Sequence, residues 1–330
     1  MDRREFISAV AVSLLAAPDA AQAQQAGRVY RLGILAPTSM PAPSERRAAM
    51  ILIPSALQEL GYVQGQNLVV ERRYGEGRLD RLPALARELV QLRPDVIVAI
   101  GSAAARAVKN ATATIPIVLY ANVDPVAAGL VKSLAKPGDN LTGVLIAPAG
   151  TLAAKKLELL KEAVPRAKRI AFLAWGDDPS FRPQVQETQE AASSLGVKLS
   201  VVEVRGGDYE RAFAMIAAER PGALFVAATT YFVRDRKRII ELVAKHRLPA
   251  IYEWPEHVED GGLMSYGSSL TGTTQRVAAY VDRIFKGAKP GDLPIEQPTR
   301  FELVVNLKAA RALGLTLPPS LLSRADRIIE

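Results

Sequence analysis

Gly101-Ser102 follows an unbroken apolar run, Val96–Ile100, and opens an alanine-rich stretch of helical spacing that ends near Thr112. A buried strand running straight into a helix leaves the first-turn N–H groups without intrahelical partners at the positive end of the helix dipole. A carboxylate can dock there without an arginine. Ser102 adds a hydroxyl donor; it also suits an ordinary N-cap, and one residue can serve as both. The pattern then repeats, with an apolar run over residues 115–120, a turn at Asn122-Val123-Asp124-Pro125, and helical spacing over residues 126–134. Asp124 followed by proline reads first as a helix start, but it falls on the same edge as Ser102.

Other residues of the same kind recur later in the chain. Although only 6% of residues are aromatic, Tyr120, Trp175, Tyr231, Phe232, Tyr252, Trp254 and Tyr266 all fall at or just past the ends of predicted strands. Such π surface suits a flat or apolar ligand; the alternative is that several of these rings plug the space between lobes. Asp177, Asp178 and Glu253 are acids on the later edge and would be counter-charges for an amine. Thr38, Ser39, Thr229 and Thr230 are neutral hydrogen-bonding groups that orient a polar ligand without catalysing anything. Catalysis finds less support. His246 is placed near a helix end and His257 in a loop, without metal-ligand spacing, and there is no cysteine. No nucleophile elbow, phosphate loop or dinucleotide fingerprint occurs. Binding without chemistry is the expectation, with no cofactor and no metal.

These edges must be presented by strands. Residues 31–36, 68–72, 96–100, 115–120 and 141–146 read as strands separated by helical patterns, and after the Pro148-Ala149-Gly150 break the alternation restarts. Helices are expected at 152–164, with its lysines and glutamates facing outward, and at 181–195, 208–219 and 233–246. Strands are expected at 169–174, 198–204, 223–227, 249–252 and 262–265. Strands without a polar face mean parallel sheets covered on both sides, where ligands meet the carboxyl-end turns. The tail from Thr271 carries an amphipathic helix, an extended segment at 301–305 and a short helix capped by Asn306. It is long enough to cross back between lobes.

The chain has 330 residues, is 49% hydrophobic and carries a formal charge of +8. That length fits two lobes. No basic run interleaved with aromatics marks a nucleic-acid groove. At the N-terminus, Arg3-Arg4 precede an apolar core at residues 7–17 and an Ala21-Gln22-Ala23 cleavage pattern, an export signal of twin-arginine appearance at residues 1–23.

Several longer segments, in order, resemble the ABC-transporter substrate-binding proteins that include tryptophan- and tyrosine-type uptake components. They are Leu60-Gly61-Tyr62-Val63-Gln64-Gly65-Gln66-Asn67, Thr114-Ile115-Pro116-Ile117-Val118, Asp124-Pro125-Val126 and Lys136-Pro137-Gly138-Asp139-Asn140-Leu141-Thr142-Gly143. Later come Gly261-Gly262-Leu263-Met264-Ser265-Tyr266-Gly267, Asp292-Leu293-Pro294, Phe301-Glu302-Leu303-Val304-Val305-Asn306 and Arg324-Ala325-Asp326. The resemblance spans the whole mature chain. It implies an α/β, type I periplasmic-binding-protein fold, two Rossmann-like lobes with parallel sheets joined by a hinge. The lobes would be residues 29–147 with 268–293, and 148–267 with 294–330. It also implies a periplasmic, monomeric receptor that delivers its ligand to a membrane permease and ATPase. The gripping loops of such relatives correspond to Thr38-Ser39, Gly101-Ser102-Ala103, Asp124, the Trp175 to Ser180 loop, Thr229-Thr230 and Ser265-Tyr266. Trp175-Gly176-Asp177-Asp178 and Ala228-Thr229-Thr230-Tyr231 replace more asparagine- and serine-rich segments, so the ligand's identity does not carry over. The expected ligand is a small carboxylate, aromatic or an amino acid. A ligand-sensing core of the same fold is the alternative, and would need a DNA-binding or transmembrane segment.

Overall fold

The computed structural model describes residues 27–40, 49–121, 124–146 and 152–330. The export segment, the Asn122-Val123 turn and the Pro148-Ala149-Gly150 break lie outside these residues. The apolar runs become strands buried on both faces: β1 (Tyr30–Ala36), β3 (Val96–Ile100), β4 (Ile117–Ala121) and β5 (Leu141–Leu145). The more polar β2 (Leu68–Tyr74) is only half-buried, which an edge position permits. The five strands are parallel in the order β2-β1-β3-β4-β5, with Leu32 opposite Val96 and Ile97 opposite Ile117. The winding direction reverses between β1 and β3, so their carboxyl ends open a crevice. Helices α1 (Ala49–Glu59), α2 (Leu82–Gln91) and α3 (Ser102–Ala111) belong to this half. Pro83 is tolerated in the first turn of α2.

The second half repeats the scheme with α4 (Leu152–Ala163), β6 (Arg169–Trp175), α5 (Phe181–Ser194), β7 (Lys198–Val204) and α6 (Tyr209–Glu219). It continues with β8 (Ala223–Val226), α7 (Thr230–Arg234), α8 (Arg236–Lys245), β9 (Ala250–Tyr252), α9 (Pro255–Glu259) and β10 (Met264–Gly267). Strands β11 (Glu302–Asn306) and β12 (Arg327–Ile329) extend the sheet to the order β12-β11-β10-β9-β8-β6-β7, antiparallel only at β10–β11. Its reversal lies between β6 and β8.

Two segments cross between the halves and enter the other core. Helix α10 (Leu270–Phe285) follows β10 yet packs on the first sheet: Leu270, Val277, Val281 and Phe285 share a core with Leu32, Ile34, Val98 and Tyr120. The Phe285 ring stacks on Tyr30 at 4.4 Å, and Tyr62 Oη donates to Asp282 at 2.8 Å. Trp254, just past β9, is buried in the same core. Beyond α10, Ile295 N donates to the Leu134 carbonyl and the Glu296 carbonyl accepts from Leu145 N, so residues 295–296 still lie along the first sheet.

Four local expectations are corrected. Residues 126–134 form turns rather than a helix. Ala128 N reaches the Asp124 carbonyl and Leu130 N that of Pro125, but Gly129 at φ +66° takes the chain out of helical geometry. The helix expected at 233–246 is two, α7 starting early because Thr229 caps it and α8 following a break at Asp235, whose carboxylate is held by Tyr209 and Arg234. His257 lies in the short helix α9 rather than a loop. In α4, Lys156 faces inward and is buried, because position 156 lies on the same stripe as Leu152, Leu160 and Ala163.

Candidate functional site

The two crevices face each other. After β3 the chain turns through Gly101, whose φ of +84° few other residues adopt, and its N–H donates to the Tyr120 carbonyl at 2.9 Å. Gly101 therefore takes the N-cap position, and Ser102 is the first residue of α3 and makes no side-chain cap. Opposite lie the exits of β6 and β8. Pro37, Gly101, Ser102 and Ala103 on one edge approach Asp178, Pro179, Thr230 and Tyr231 on the other, leaving a gap of only about 10 Å³. Beside this contact the edges part around a cavity of about 370 Å³, within the range of small-molecule sites.

The first half lines this cavity with Ser102 and Arg106 of α3 and with Asp124, Ala127 and Ala128 of the following turn. Asp124 accepts from Val126 N at 2.8 Å and Ala127 N at 3.2 Å, while Arg106 Nη2 donates to the Ala128 carbonyl at 2.7 Å. The turn is thereby pinned to α3. From the second half come Leu152, Ala153 and Lys156 of α4, then Pro179 and Ser180 before α5 and Pro183, Gln184, Glu187 and Thr188 within it, then Phe225 of β8 with Ala228 and Glu253 just past strand ends.

A polar lattice fixes this second wall. Asp178 accepts from Ser180 N (2.8 Å), Ser180 Oγ (2.7 Å) and Thr229 Oγ1 (2.7 Å), joining the β6 and β8 exits. Gln184 clamps the Ala228 backbone in both directions, accepting from its N–H at 2.9 Å and donating to its carbonyl at 3.0 Å, and donates to Ser180 Oγ at 2.7 Å. Glu187 accepts from Ala153 N at the head of α4. Deeper in the wall, Lys156 Nζ donates to Glu253 Oε2, with both side chains almost wholly buried, and lies 4.6 Å from the centre of the Phe225 ring.

Of the residues singled out in the sequence, Ser102, Asp124 and Glu253 line the cavity, and Gly101, Ala103, Asp178, Thr230 and Tyr231 line the narrow contact beside it. Thr229 is buried behind Asp178. Trp175 stacks face to face on Tyr231 at 4.2 Å, each ring the other's partner. The Tyr231 hydroxyl is pushed up from its ordinary range by burial and then by the Asp178 charge. Tyr252 is buried against His257, ring centres 4.8 Å apart, and Ser265 is buried in β10. Thr38 is buried, its carbonyl accepting from Glu76 N at 3.2 Å; Ser39 is half-buried and Asp177 exposed. Tyr266 is half-buried and leans on Phe301.

The cavity adds residues the sequence reading passed over. Arg106, Lys156, Gln184 and Glu187 sit on helix faces, away from the strand ends by which a sequence marks such an edge. The stripe spacing of Lys156 was the one available signal. Phe225 lies inside β8 rather than at its end. Among the described residues no group of three or more His, Cys, Asp or Glu could hold a metal, and no helix is long and apolar enough to cross a membrane. The wall can do one thing well: enclose a small molecule in largely apolar surface whose lining also holds cations (Arg106, Lys156) and carboxylates (Asp124, Glu187, Glu253).

Comparison with known proteins gives a consistent outcome. The family described as ABC transporter substrate binding protein matches residues 32–329. A tyrosine-binding protein of Clostridioides difficile is 26% identical over 262 residues, 79% of this chain and 74% of that protein. Among solved structures, a conserved domain protein from Vibrio cholerae is 28% identical with a TM-score of 0.80, covering 91% of this chain and 100% of the other. An ABC domain in complex with L-Trp from Streptococcus pneumonia is 26% identical with a TM-score of 0.78 at the same coverages.

Proposed function

The chain belongs to the ABC transporter substrate-binding protein family, and on that premise we propose that its solute is an amino acid, of the aromatic kind named for its relatives, held in the cavity of about 370 Å³ between the lobes. The protein is the substrate-binding component of an ABC transporter, with the type I periplasmic-binding-protein fold. Such components work outside the cytoplasm, bind small molecules and deliver them to a permease and ATPase. One observation carries the ligand assignment: a mostly aliphatic cavity takes its wall from the carboxyl ends of both sheets and sets charges of both signs around it. Ser102 and the open N–H groups of α3 are suited to the carboxylate. Asp124 or Glu253 is suited to the amine.

Trapping follows from the two-sided wall. A solute touching both lobes favours the closed form over the open one by its differential contacts, so closure is a population shift. Binding requires no bond to break, in keeping with a receptor rather than an enzyme. We take the working form as a monomer exported by way of residues 1–23, the Arg3-Arg4 pair favouring the twin-arginine route. The lobes are residues 29–147 and 148–267, and we place the tail's return crossing after Glu296 rather than at 293, because residues 295–296 pair with the first sheet.

The test is a thermal-shift and calorimetric screen of the protein lacking residues 1–23 against amino acids, aromatic acids and short aliphatic acids. A solute at 100 times its Kd stabilises the fold by about 2.7 kcal/mol. An amino-acid hit abolished by Ala127→Trp, which fills the cavity from its rim, is the expected result. Hits confined to aliphatic acids would remove the amino-acid reading, and a hit indifferent to Ala127→Trp would remove the cavity.

A further inference from the structure

Lys156 breaks the pattern of its helix. The inward stripe of α4 is Leu152, Ala153, Leu157, Leu160 and Ala163, and a lysine in that stripe, 3% exposed, opposes both the local pattern and the cost of removing an ammonium from water. Its partner, Glu253, is 2% exposed and sits between Tyr252 and Trp254. A buried ion pair is seldom a net source of stability over a well-packed apolar pair. This one is also incompletely used. Lys156 Nζ has three donors and gives one to Glu253 Oε2, while Glu253 Oε1, fully buried, has no hydrogen-bond partner among the described residues. Both residues line the cavity, and the wall around them is apolar, from Phe225, Ala228 and Leu152.

The pair thus keeps spare donors on Lys156 and an unmet acceptor on Glu253, whose Oε1 lies toward Gly267, in a wall where an unpaired charge would be costly. That is the complement of a group carrying a cation and an anion on neighbouring atoms. We infer that the Lys156–Glu253 pair is the head-group anchor of the site and reads the zwitterion of an α-amino acid: the ammonium pairs with the Glu253 carboxylate, and the carboxylate takes a free donor of Lys156. This rests on the amino-acid reading of the cavity and deepens it. Four charges alternating in sign leave none buried alone, whereas a ligand lacking either group leaves one unmatched. Ser102 faces the same cavity from the other lobe, so a carboxylate held by Lys156 also meets the open end of α3 when the lobes close. Selection for the whole head group precedes selection by side chain.

The experiment measures calorimetric Kd for L-tyrosine, L-tryptophan, tyramine and 3-(4-hydroxyphenyl)propanoate. It uses the wild-type protein, Lys156→Met, Glu253→Gln, and the double variant Lys156→Met/Glu253→Leu. The double variant removes both charges together and is expected to fold even where a single change does not; circular dichroism checks this. The wild type should bind an amino acid and prefer it over the analogues lacking amine or carboxylate by about 10- to 100-fold, the worth of a charged hydrogen bond. The folded double variant should bind the amino acid correspondingly more weakly and lose that preference. A folded double variant that keeps wild-type affinity and preference overturns the anchor and leaves the amino-acid cavity standing. A wild type that binds neither amino acid nor analogue overturns both.

Discussion

At the scale of single residues, close approaches decide more than chemistry does. A methyl group on Gly267 would lie 2.1 Å from the Glu253 carbonyl oxygen and 3.1 Å from Glu253 Oε1. Backbone cannot yield that much, so Gly267→Ala should force β9 and β10 apart, cost about 1–3 kcal/mol in chemical denaturation, and weaken solute binding by moving Glu253. An unchanged melting curve and Kd would show that the strands yield more easily than this contact implies. Two neighbouring groups oppose each other in pH. Burial pushes Glu256 up to about 7 from an ordinary 4.5, and burial with the Arg236 charge holds His257 down to about 3 from 6.5. Between pH 4.5 and 7 the folded Glu256 keeps a proton the unfolded chain releases, so its contribution falls as pH rises. Between pH 3 and 6.5 the unfolded His257 takes a proton the folded one refuses, so its contribution falls as pH drops. Glu256→Gln should therefore raise stability at pH 8 by about 1–3 kcal/mol and expose a decline from pH 6.5 to 4.5; a pH–Tm profile of unchanged shape would refute this. Sequence placed Ser102, Asp124 and Glu253 at the cavity because strand ends are visible as the last residues of apolar runs. It missed Lys156 because a lysine in a helix is ordinarily solvated. The stacking of Trp175 on Tyr231 pairs two residues 56 positions apart, which no strand-end pattern shows.

At the scale of elements, the second wall of the cavity is a small lattice rather than a set of independent loops. Asp178 takes three hydrogen bonds from the exits of β6 and β8, and Gln184 fastens α5 to Ala228. Asp178→Ala should release both exits together, lowering stability by about 1–3 kcal/mol and affinity with it. Amide hydrogen exchange should quicken at both Ser180 and Thr229; acceleration at only one exit would show that they are not joined through this carboxylate. Element existence was legible where patterns were long: β7 runs over the seven residues expected, and Asp208 and Asn306 cap α6 and α11 (Leu307–Ala312) through the N–H groups of Arg211 and Ala309. Residues 126–134 failed because apolar spacing carries no information about Gly129 adopting positive φ. Helix α9 and strand β12 were invisible because short segments have no period; tertiary packing alone defines them.

At the scale of the molecule, the lobes are tied by what they lend each other. Trp254, leaving the second sheet, is buried in the first core, and α10 covers that core's outer face. The two halves should therefore melt in one transition, and Trp254→Ala should cost about 3–5 kcal/mol and, by loosening the crossing, separate the lobes into two transitions in differential scanning calorimetry. A single transition with little lost stability would mean the crossing bears no weight. The alternation of strand and helix revealed the two lobes and a tail long enough to return, but no local pattern states which sheet a tail helix will choose. That choice has a consequence in time. The first sheet gains its last strand, β5, at Leu145, yet the helix that closes its open face ends at Phe285. A ribosome adding about 5–20 residues per second needs roughly 7 to 30 seconds for the intervening stretch. Throughout that interval the amino-terminal half presents an apolar sheet face that α1 covers only in part to whatever binds nascent chains, so this half cannot finish folding until nearly all of the polypeptide has been made.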